Sequence, residues 1–185
     1  MIDEILEDAN DRMGKSIESM QQAFAKIRTG RANPSLLDSI SVEYYGNDTP
    51  LNQVASIAVE DGRTLTVSPW EKPLIPEIEK AILKSDLGIT PVSTGDVIRV
   101  PLPPLTEENR RDLARHAKQE AENGRIAIRN IRRDAIADIR ELVKEKEATE
   151  DDARRAEDKA QQYTDARVAE VDAALAAKEA DLMEI

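Results

Sequence analysis

The segment PLPPLTEENRRDL, residues 101–113, separates two parts of the chain that differ in composition. Its central prolines exclude a regular helix, because proline lacks a backbone N–H and restricts the residue before it. Thr106 is a favourable helix N-cap, and the two glutamates that follow it suit a first turn, where the helix dipole attracts negative charge. We therefore predict a helix that begins after Thr106 and runs to about Lys146, roughly 60 Å at 1.5 Å per residue.

Three segments carry apolar residues at helical spacing, mostly at steps of three or four, which places those residues on one face of a helix. The first covers residues 1–29 and ends at Gly30, the second follows Thr106, and the third follows Thr149, which precedes two aspartates suited to a first turn. The apolar positions are, in chain order, Ile2, Ile5, Ala9, Met13, Ile17, Met20, Phe24 and Ile27; Leu113, Ala117, Ala121, Ile128, Ile131, Ala135, Ile139 and Leu142; and Ala153, Ala156, Ala160, Tyr163, Val168, Val171, Leu175 and Leu182. Three such helices should bury their narrow seams together in a three-helix bundle.

Between the first two helices the chain is rich in short β-like runs. These lie at residues 39–45, 54–59, 64–67 and 96–100, and the Asp61-Gly62 pair between two of them is a strong hairpin signal. One helix fits between Pro76 and Gly88, with Ile78, Ile82 and Leu83 available for burial. The alternation Ile40, Val42, Tyr44 predicts that Tyr44 is more buried than Tyr45.

The predicted fold class is therefore α+β. Residues 1–30 and 105–185 form a long three-helix bundle, and residues 31–104 form an inserted small β-rich (β/α/β) domain. Two short crossings, Gly30–Pro34 and Pro101–Leu105, join these parts and could act as a hinge. The alternative is one rigid domain.

Charge is distributed unevenly along this acidic chain. Its 185 residues carry 37 Asp and Glu against 26 Lys and Arg, a formal net charge of −11. Residues 110–133 nevertheless hold eight basic and three acidic residues, a net charge of +5, so the rest of the chain carries −16. Overall acidity argues against indiscriminate nucleic-acid binding, whereas one concentrated basic surface indicates a specific anionic partner.

Few residues of the chain suggest a catalytic, metal or cofactor site. There is no cysteine, which excludes disulfides, thiolate metal sites and cysteine nucleophiles. The single histidine, His116, is best interpreted as a surface or interhelix polar residue, and no glycine-rich phosphate loop occurs. We predict no catalytic residue, no metal site and no cofactor. No apolar run approaches the roughly 20 residues of a membrane span, and the N-terminus does not resemble a signal peptide, so we expect a cytoplasmic protein without a membrane partner.

The basic residues of the second bundle helix cluster on one side. On a helical wheel they fall within an arc of about 100°, away from the apolar seam. They are Arg111, Arg115, Lys118, Arg125, Arg129, Arg132 and Arg133. The arc offers few acids three or four residues away, which favours a surface for phosphate over a solvated or internally neutralised face, although both interpretations remain open. Because no aromatic residue lies in the arc, folded RNA is favoured over single strands.

Five stretches of the sequence resemble the bacterial ribosome recycling factor family. They are KIRTGRANPSLLDSISVEYYG, TPLNQVASIAVEDGRTL, DVIRVPLPPLTEENRRDL, RNIRRDA and KEATEDDARRAED, spread through both predicted domains. The resemblance implies an L-shaped, monomeric translation factor whose outline is similar to a transfer RNA. Members bind the post-termination ribosome at the large-subunit ribosomal RNA. With elongation factor G, which hydrolyses GTP, they separate the subunits and recycle the ribosome from messenger RNA. Members are not themselves enzymes.

The resemblance also implies roles for individual residues. Contacts to ribosomal RNA are expected at Arg110, Arg129, Arg132 and Arg133, with Arg125 and Arg111 on the same helix and Arg28 and Arg31 near the crossings. Hinge positions are expected at Gly30, Arg31, Pro103, Pro104 and Leu105. Gly124 departs from the pattern of good helix formers around it and could mark a slight bend.

Two other classes of function are weighed beside this one. The chain could be a non-catalytic helical-bundle adaptor whose basic face meets acidic protein partners. An enzyme hidden in the small domain is the weaker alternative, because residues 39–105 offer no convergent set of nucleophile, base and metal ligands.

Overall fold

The computed structural model describes residues 1–184, and in this part of the chain two compact units are present. The first unit comprises Met1–Phe24 and Ala114–Ala180, and the second comprises Ala25–Leu113 with the described residues from Asp181 onward. The helices are α1 (Ile2–Ala25), α2 (Leu51–Val54), α3 (Ile75–Lys84), α4 (Glu107–Lys144) and α5 (Glu150–Met183). The strands are β1 (Ser41–Tyr44), β2 (Asn47–Pro50), β3 (Ala55–Asp61), β4 (Thr64–Pro69), β5 (Val92–Thr94) and β6 (Val97–Pro101), with 3₁₀ turns at Pro34–Leu37 and Lys72–Leu74. Among the described residues no helix is long and apolar enough to cross a membrane.

The first unit is a bundle of α1, α4 and α5, as the apolar periodicity predicts. Both predicted caps are confirmed, since Thr106 Oγ1 accepts the N–H of Asn109 at 3.1 Å and Thr149 Oγ1 accepts the N–H of Asp152 at 3.1 Å. The carboxylate of Asp152 in turn accepts the N–H of Thr149 at 3.3 Å, so this cap is reciprocal. The long helix ends at Lys144, two residues before the predicted end, and Lys146 at φ 63° makes the turn into α5.

One helix boundary differs from the prediction. Helix α1 ends at Ala25 and not at Gly30, although Ile27 beyond its end is still buried. The hydroxyl of Thr29 accepts the N–H of Arg31 at 3.2 Å, a local turn that competes with continuation of the helix. The region that follows α1 is therefore a turn-forming connection rather than a last helical turn.

Small residues form a large part of the buried seam of the bundle. The buried alanines of its three helices are Ala9, Ala117, Ala121, Ala135, Ala153, Ala156 and Ala160. Gly124, for which the sequence suggested a bend, is buried within an uninterrupted α4, where a Cβ would lie 3.4 Å from Met20 Sδ. Leu6 is part of the core although the predicted seam omits it, and Ile17 is only half-buried. The bundle thus combines close approach of helices at small residues with large buried side chains such as Met13, Ile128 and Ile139.

The second unit contains two antiparallel sheets. Strands β3, β4, β6 and β5 form one sheet in that order, and β1 pairs only with β2 in the other. The Asp61-Gly62 signal is confirmed, because β3 and β4 form a hairpin that closes at Asp61 and Thr64. The core lies between the larger sheet, α3 and the segments that lead to it. Its fully buried members are Leu37, Leu51, Leu65, Val67, Ile78, Ile82, Ile98 and Val100.

The details of this unit correct one prediction and confirm another. In α3, Ile78 and Ile82 are buried one turn apart, but Leu83 is 58% exposed because the next helical position points about 100° away. Tyr44 is half-buried and Tyr45 is 79% exposed, as predicted. Tyr45 and Gly46 have φ of 48° and 80° between the paired residues Tyr44 and Asn47, as a tight two-residue hairpin turn requires.

Candidate nucleic-acid interface

The predicted basic arc lies on α4, which carries it through most of its 38 residues. We call the set Arg111, Arg115, Lys118, Arg125, Arg129, Arg132 and Arg133 the arginine face. A neighbouring side of the helix is buried at Ala117, Ala121, Ile128 and Ile139, so the seam fixes the direction in which the arginine face points. Members of this face differ in how far other residues neutralise them, and this difference decides which can meet an external anion.

Arg125 is neutralised inside the bundle. Its Nη2 lies 2.6 Å from Asp172 Oδ1 of α5, its Nη1 lies 3.2 Å from Glu122 Oε2, and its side chain is only 19% exposed. The hydrogen bond to Asp172 raises the pKa of Arg125 above its usual value. The sequence-based assumption that acidic partners are almost absent is wrong at this position, because the partner is 47 residues away on the neighbouring helix. Arg125 therefore braces α4 against α5.

Arg129 and Arg111 are paired more loosely. Arg129 Nη1 lies 3.6 Å from Glu122 Oε1, and this one carboxylate also serves Arg125, so two guanidinium groups share a single negative charge. Arg129 stays about half exposed. Arg111 lies 2.8 Å from Glu107 one turn away, but both side chains are largely exposed, where such pairs contribute little and exchange readily with other ions.

Arg132 and Arg133 are not ion-paired within the part of the chain that the structure describes. Arg132 Nη1 donates to the neutral Oε1 of Gln161 on α5 at 2.7 Å. Within residues 1–184 neither arginine has an ion-pair partner closer than 4.0 Å, and Arg133 is exposed. The Nε of Arg132 is buried, with no hydrogen-bond partner among those residues. The C-terminal end of the arginine face thus presents two adjacent cations without an ion-pair partner among the described residues.

The remaining predicted contact residues lie in the second unit. Arg28 and Arg110 are half-buried, and the Nε of each is buried without a hydrogen-bond partner in the described part of the chain. Burial lowers the pKa of Arg28 from its usual value. Arg31 is exposed and forms an ion pair with Glu184. Arg31 and Arg110 both line a cavity of about 200 Å³ in this unit, together with Arg63.

The predicted hinge positions also fall in the second unit. Gly30, Pro104 and Leu105 line the same cavity, Leu105 is buried, and Pro103 is exposed. The two crossings are both tied to the β3–β4 turn. The N–H of Ala32 donates to Gly62 O at 2.8 Å, and the N–H of Leu102 donates to Arg63 O at 2.7 Å. Sequence reasoning missed this shared anchor, since a hydrogen bond between backbone groups leaves no trace in residue types.

Residues considered for other chemistry have structural explanations. His116 is exposed and lies 3.4 Å from Glu120 one turn away, as a surface histidine would. Asp152 belongs to the cap of α5, and hydrogen bonds from Thr149, followed by the contact with Arg155, hold the pKa of Asp152 below its usual value. No group of three or more potential metal ligands is found within residues 1–184.

The α5 partners of the arginine face were missed by sequence reasoning. Asp172 and Gln161 lie 47 and 29 residues from the arginines they contact, so only the register of two packed helices brings them together. A further case is Arg167, which donates to Asn10 Oδ1 of α1 at 3.1 Å. Spacing along one helix predicts contacts three or four residues apart and cannot reveal pairs of this kind.

The fold places the chain in a class of α+β proteins in which a sheet-containing segment interrupts a three-helix bundle. A model of the protein family described as "Ribosome recycling factor" matches residues 20–183. The ribosome-recycling factors of Marinomonas sp. (strain MWYL1) and Saccharophagus degradans are 63% and 60% identical over 185 residues, which is 100% of both chains in each comparison. The chain therefore belongs to the ribosome recycling factor family, and the predicted resemblance is confirmed.

Solved structures agree with this assignment. The solution structure of a ribosome recycling factor has a TM-score of 0.77 and 37% identity, with 100% of this chain and 98% of the other covered. A second structure has a TM-score of 0.70 and 44% identity with both chains fully covered. It is described as models for the T. thermophilus ribosome recycling factor and the E. coli elongation factor G bound to the E. coli post-termination complex. The predicted α+β fold class is confirmed by these neighbours and by the two units described above.

Proposed function

We propose that this protein is a translation factor that binds the post-termination ribosome and, together with elongation factor G, separates the subunits so that the ribosome is recycled from messenger RNA. The observation that carries the proposal, beside family membership, is the pair of uncompensated cations at Arg132 and Arg133 on an otherwise acidic protein. A family relative shown with elongation factor G on a post-termination complex supports the same partners.

The arginine face is the surface that docks on large-subunit ribosomal RNA. Guanidinium groups make two-pronged contacts with phosphate, and docking releases counterions from the RNA. Arg132 and Arg133 make the main contacts, and Arg129 joins them because it shares its carboxylate with Arg125. Arg111 can exchange its exposed partner for phosphate, whereas Arg125 supports the surface from within the bundle.

Arg28, Arg31 and Arg110 extend the contact in the second unit. The Nε of Arg28 and of Arg110 is buried, so a phosphate contact would have to use the Nη groups of these half-buried side chains. Arg31 is held by Glu184, so phosphate would have to displace that carboxylate. Family resemblance, rather than helical spacing, carries this part of the assignment.

Residues 1–30 and 105–185 act in this proposal as the ribosome-binding arm, and residues 31–104 act as a lever. Motion occurs at Gly30, Arg31, Pro103, Pro104 and Leu105. Elongation factor G presses on the lever and hydrolyses GTP, and the motion displaces RNA that bridges the subunits. The two crossings fit this role, because hydrogen bonds from Ala32 and Leu102 tie both to the β3–β4 turn and would move them together.

The protein itself has no catalytic role in this scheme and uses no metal or cofactor. It acts as a monomer in the cytoplasm, where ribosomes are recycled. Bond cleavage belongs to elongation factor G, which hydrolyses GTP. The protein supplies a rigid charged arm, a lever and a hinge.

The proposal is tested by sedimentation of post-termination ribosomes with elongation factor G and GTP, with and without this protein. We expect conversion to free subunits only when all three are present, and co-sedimentation of the protein with large subunits that weakens as salt increases. Ribosomes that stay intact, with the protein left in the supernatant at low salt, would instead support the adaptor that binds acidic proteins. A non-hydrolysable GTP analogue serves as the control for the energy-dependent step.

A further inference from the structure

Arg125, Arg132 and Arg140 of α4 reach across to α5, and their acceptors differ. Arg125 contacts Asp172 and Arg140 contacts Glu157, at 2.6 Å in both cases. Arg132, which lies between them on α4, contacts Gln161 at 2.7 Å. The two outer contacts neutralise their arginines, and the central contact holds its arginine without neutralising it.

The orientation of the Gln161 amide follows from its two neighbours. Its Oε1 accepts from Arg132 Nη1, and its Nε2 donates to Asp165 Oδ1 at 2.8 Å one turn further along α5. A guanidinium has only donors and an ionised carboxylate has only acceptors, so the reversed amide would satisfy neither partner. Asp165 therefore fixes Gln161, and Gln161 fixes Arg132.

A neutral acceptor has a specific advantage at a phosphate-binding arginine. A free arginine side chain loses rotamer freedom when it binds, and holding it in place beforehand reduces that cost. A carboxylate would also hold the side chain, but it would cancel the charge and compete with the incoming phosphate. The amide holds the side chain in place without cancelling its charge or competing for the phosphate. The Gln161 amide lies between the Arg132 guanidinium and the Asp165 carboxylate.

We propose that Gln161 and Asp165 are positioning residues that hold Arg132 ready for a phosphate group while preserving its charge. This inference rests on the proposed function, in which Arg132 contacts ribosomal RNA. It adds a role for α5, a helix that contains none of the predicted site residues. It also predicts that an acid at position 161 is harmful even though it would form a stronger contact with Arg132.

The test compares variants of the full chain by their affinity for isolated large ribosomal subunits at several salt concentrations. Gln161→Met removes the acceptor while keeping side-chain length, and should weaken binding about two- to tenfold with an unchanged salt slope. Gln161→Glu keeps an acceptor but adds charge. It should weaken binding as much as Arg132→Ala and, like that variant, reduce the slope of log K against log salt by about 0.7–0.9.

Gln162→Glu is the matched control, because it adds the same charge to the same helix at the adjacent exposed position. We expect a clearly smaller effect on affinity and slope. Equal effects of Gln161→Glu and Gln162→Glu would overturn the inference by showing a general charge effect. Helical circular dichroism verifies that each variant is folded.

The outcomes separate the two levels of the proposal. If Arg132→Ala weakens binding but Gln161→Glu leaves affinity and slope unchanged, the positioning role is wrong while the proposed function stands. If Arg132→Ala itself has no effect on affinity or slope, the assigned ribosomal RNA contact is wrong, and the inference about Gln161 fails with it.

Discussion

Gly124 of α4 packs directly on Met20 of α1, with 3.4 Å between the position of an added Cβ and Met20 Sδ. The sequence presents this glycine as a defect in a helix, since glycine is less favourable than alanine there by about 1 kcal/mol. In the bundle it marks a place where two helices approach closely. Gly14 of α1 makes a comparable approach, with its added Cβ 3.2 Å from Arg167 Nη2.

Replacement of Gly124 by Ala should raise the free energy of unfolding of the bundle by up to about 1 kcal/mol, because the gain in helix propensity exceeds the cost of a new contact with flexible Met20. Gly14→Ala should gain less. Arg167 is held by hydrogen bonds to Asn10 and Glu170 and cannot easily make room. Urea unfolding followed by helical circular dichroism measures both, and a larger gain for Gly14→Ala would contradict this explanation.

Arg132→Ala should weaken binding to large ribosomal subunits by about 1–3 kcal/mol, the range for a charge-assisted contact, with little change in stability. The reason is that the Arg132 guanidinium hydrogen-bonds to a neutral amide on α5 and the residue lies off the apolar seam. Sedimentation of the variant with large subunits gives the affinity. Wild-type affinity and wild-type subunit splitting would count against the assigned contact.

Arg125→Ala should reduce stability more, and ribosome binding less, than Arg132→Ala does. Loss of the contacts with Asp172 and Glu122 should cost about 1 kcal/mol of stability, since the ion pair joins two helices but remains near the surface. Ribosome binding should fall less than in Arg132→Ala. The double variant Arg125→Ala/Asp172→Ala supplies the control. Its stability loss should be smaller than the sum of the two single losses, and strict additivity would show that the pair does not interact.

The cap of α5 should make stability depend on pH. Asp152 has a folded-state pKa below its unfolded value of about 3.9, so its contribution is present above that value and is lost as pH falls through the lower folded pKa. Asp152→Asn should therefore be less stable than wild type at pH 7 and approach wild type in strong acid. Thr149→Ala should cost about 1 kcal/mol at pH 7. Thermal unfolding from pH 7 to pH 2 measures this, and a constant difference across the range would argue against the linkage.

Local signals allowed much of the fold to be predicted. A helix cap acts within three residues, so Thr106 and Thr149 could be identified directly, and the Asp61-Gly62 pair fixed a hairpin. The strands β2 and β5 could not be identified. Each is short and contains no run of apolar residues, and each exists because a partner strand holds it, β1 in one case and β6 in the other.

The candidate site could be predicted only in part, because the sequence reveals local spacing but not which residues of another element lie nearby. The position of the arginines on α4 follows from the helical repeat, which is a local property. Whether each arginine is ion-paired does not, because that depends on which α5 residue lies opposite it. Arg125 lies opposite Asp172 and forms an ion pair that braces the two helices. Arg132, also an arginine, lies opposite Gln161 and has a neutral partner.

The interruption of the bundle by the second unit also bears on how the chain is made. Helix α1 leaves the synthesising ribosome first, yet the residues it packs against, such as Gly124, follow only after residues 25–113. Closing a flexible loop of about 90 residues costs roughly 4 kcal/mol of chain entropy. If the intervening unit folds first, much of that cost is already met when α4 emerges. The order of synthesis therefore favours folding of residues 25–113 before α1 can pack against α4.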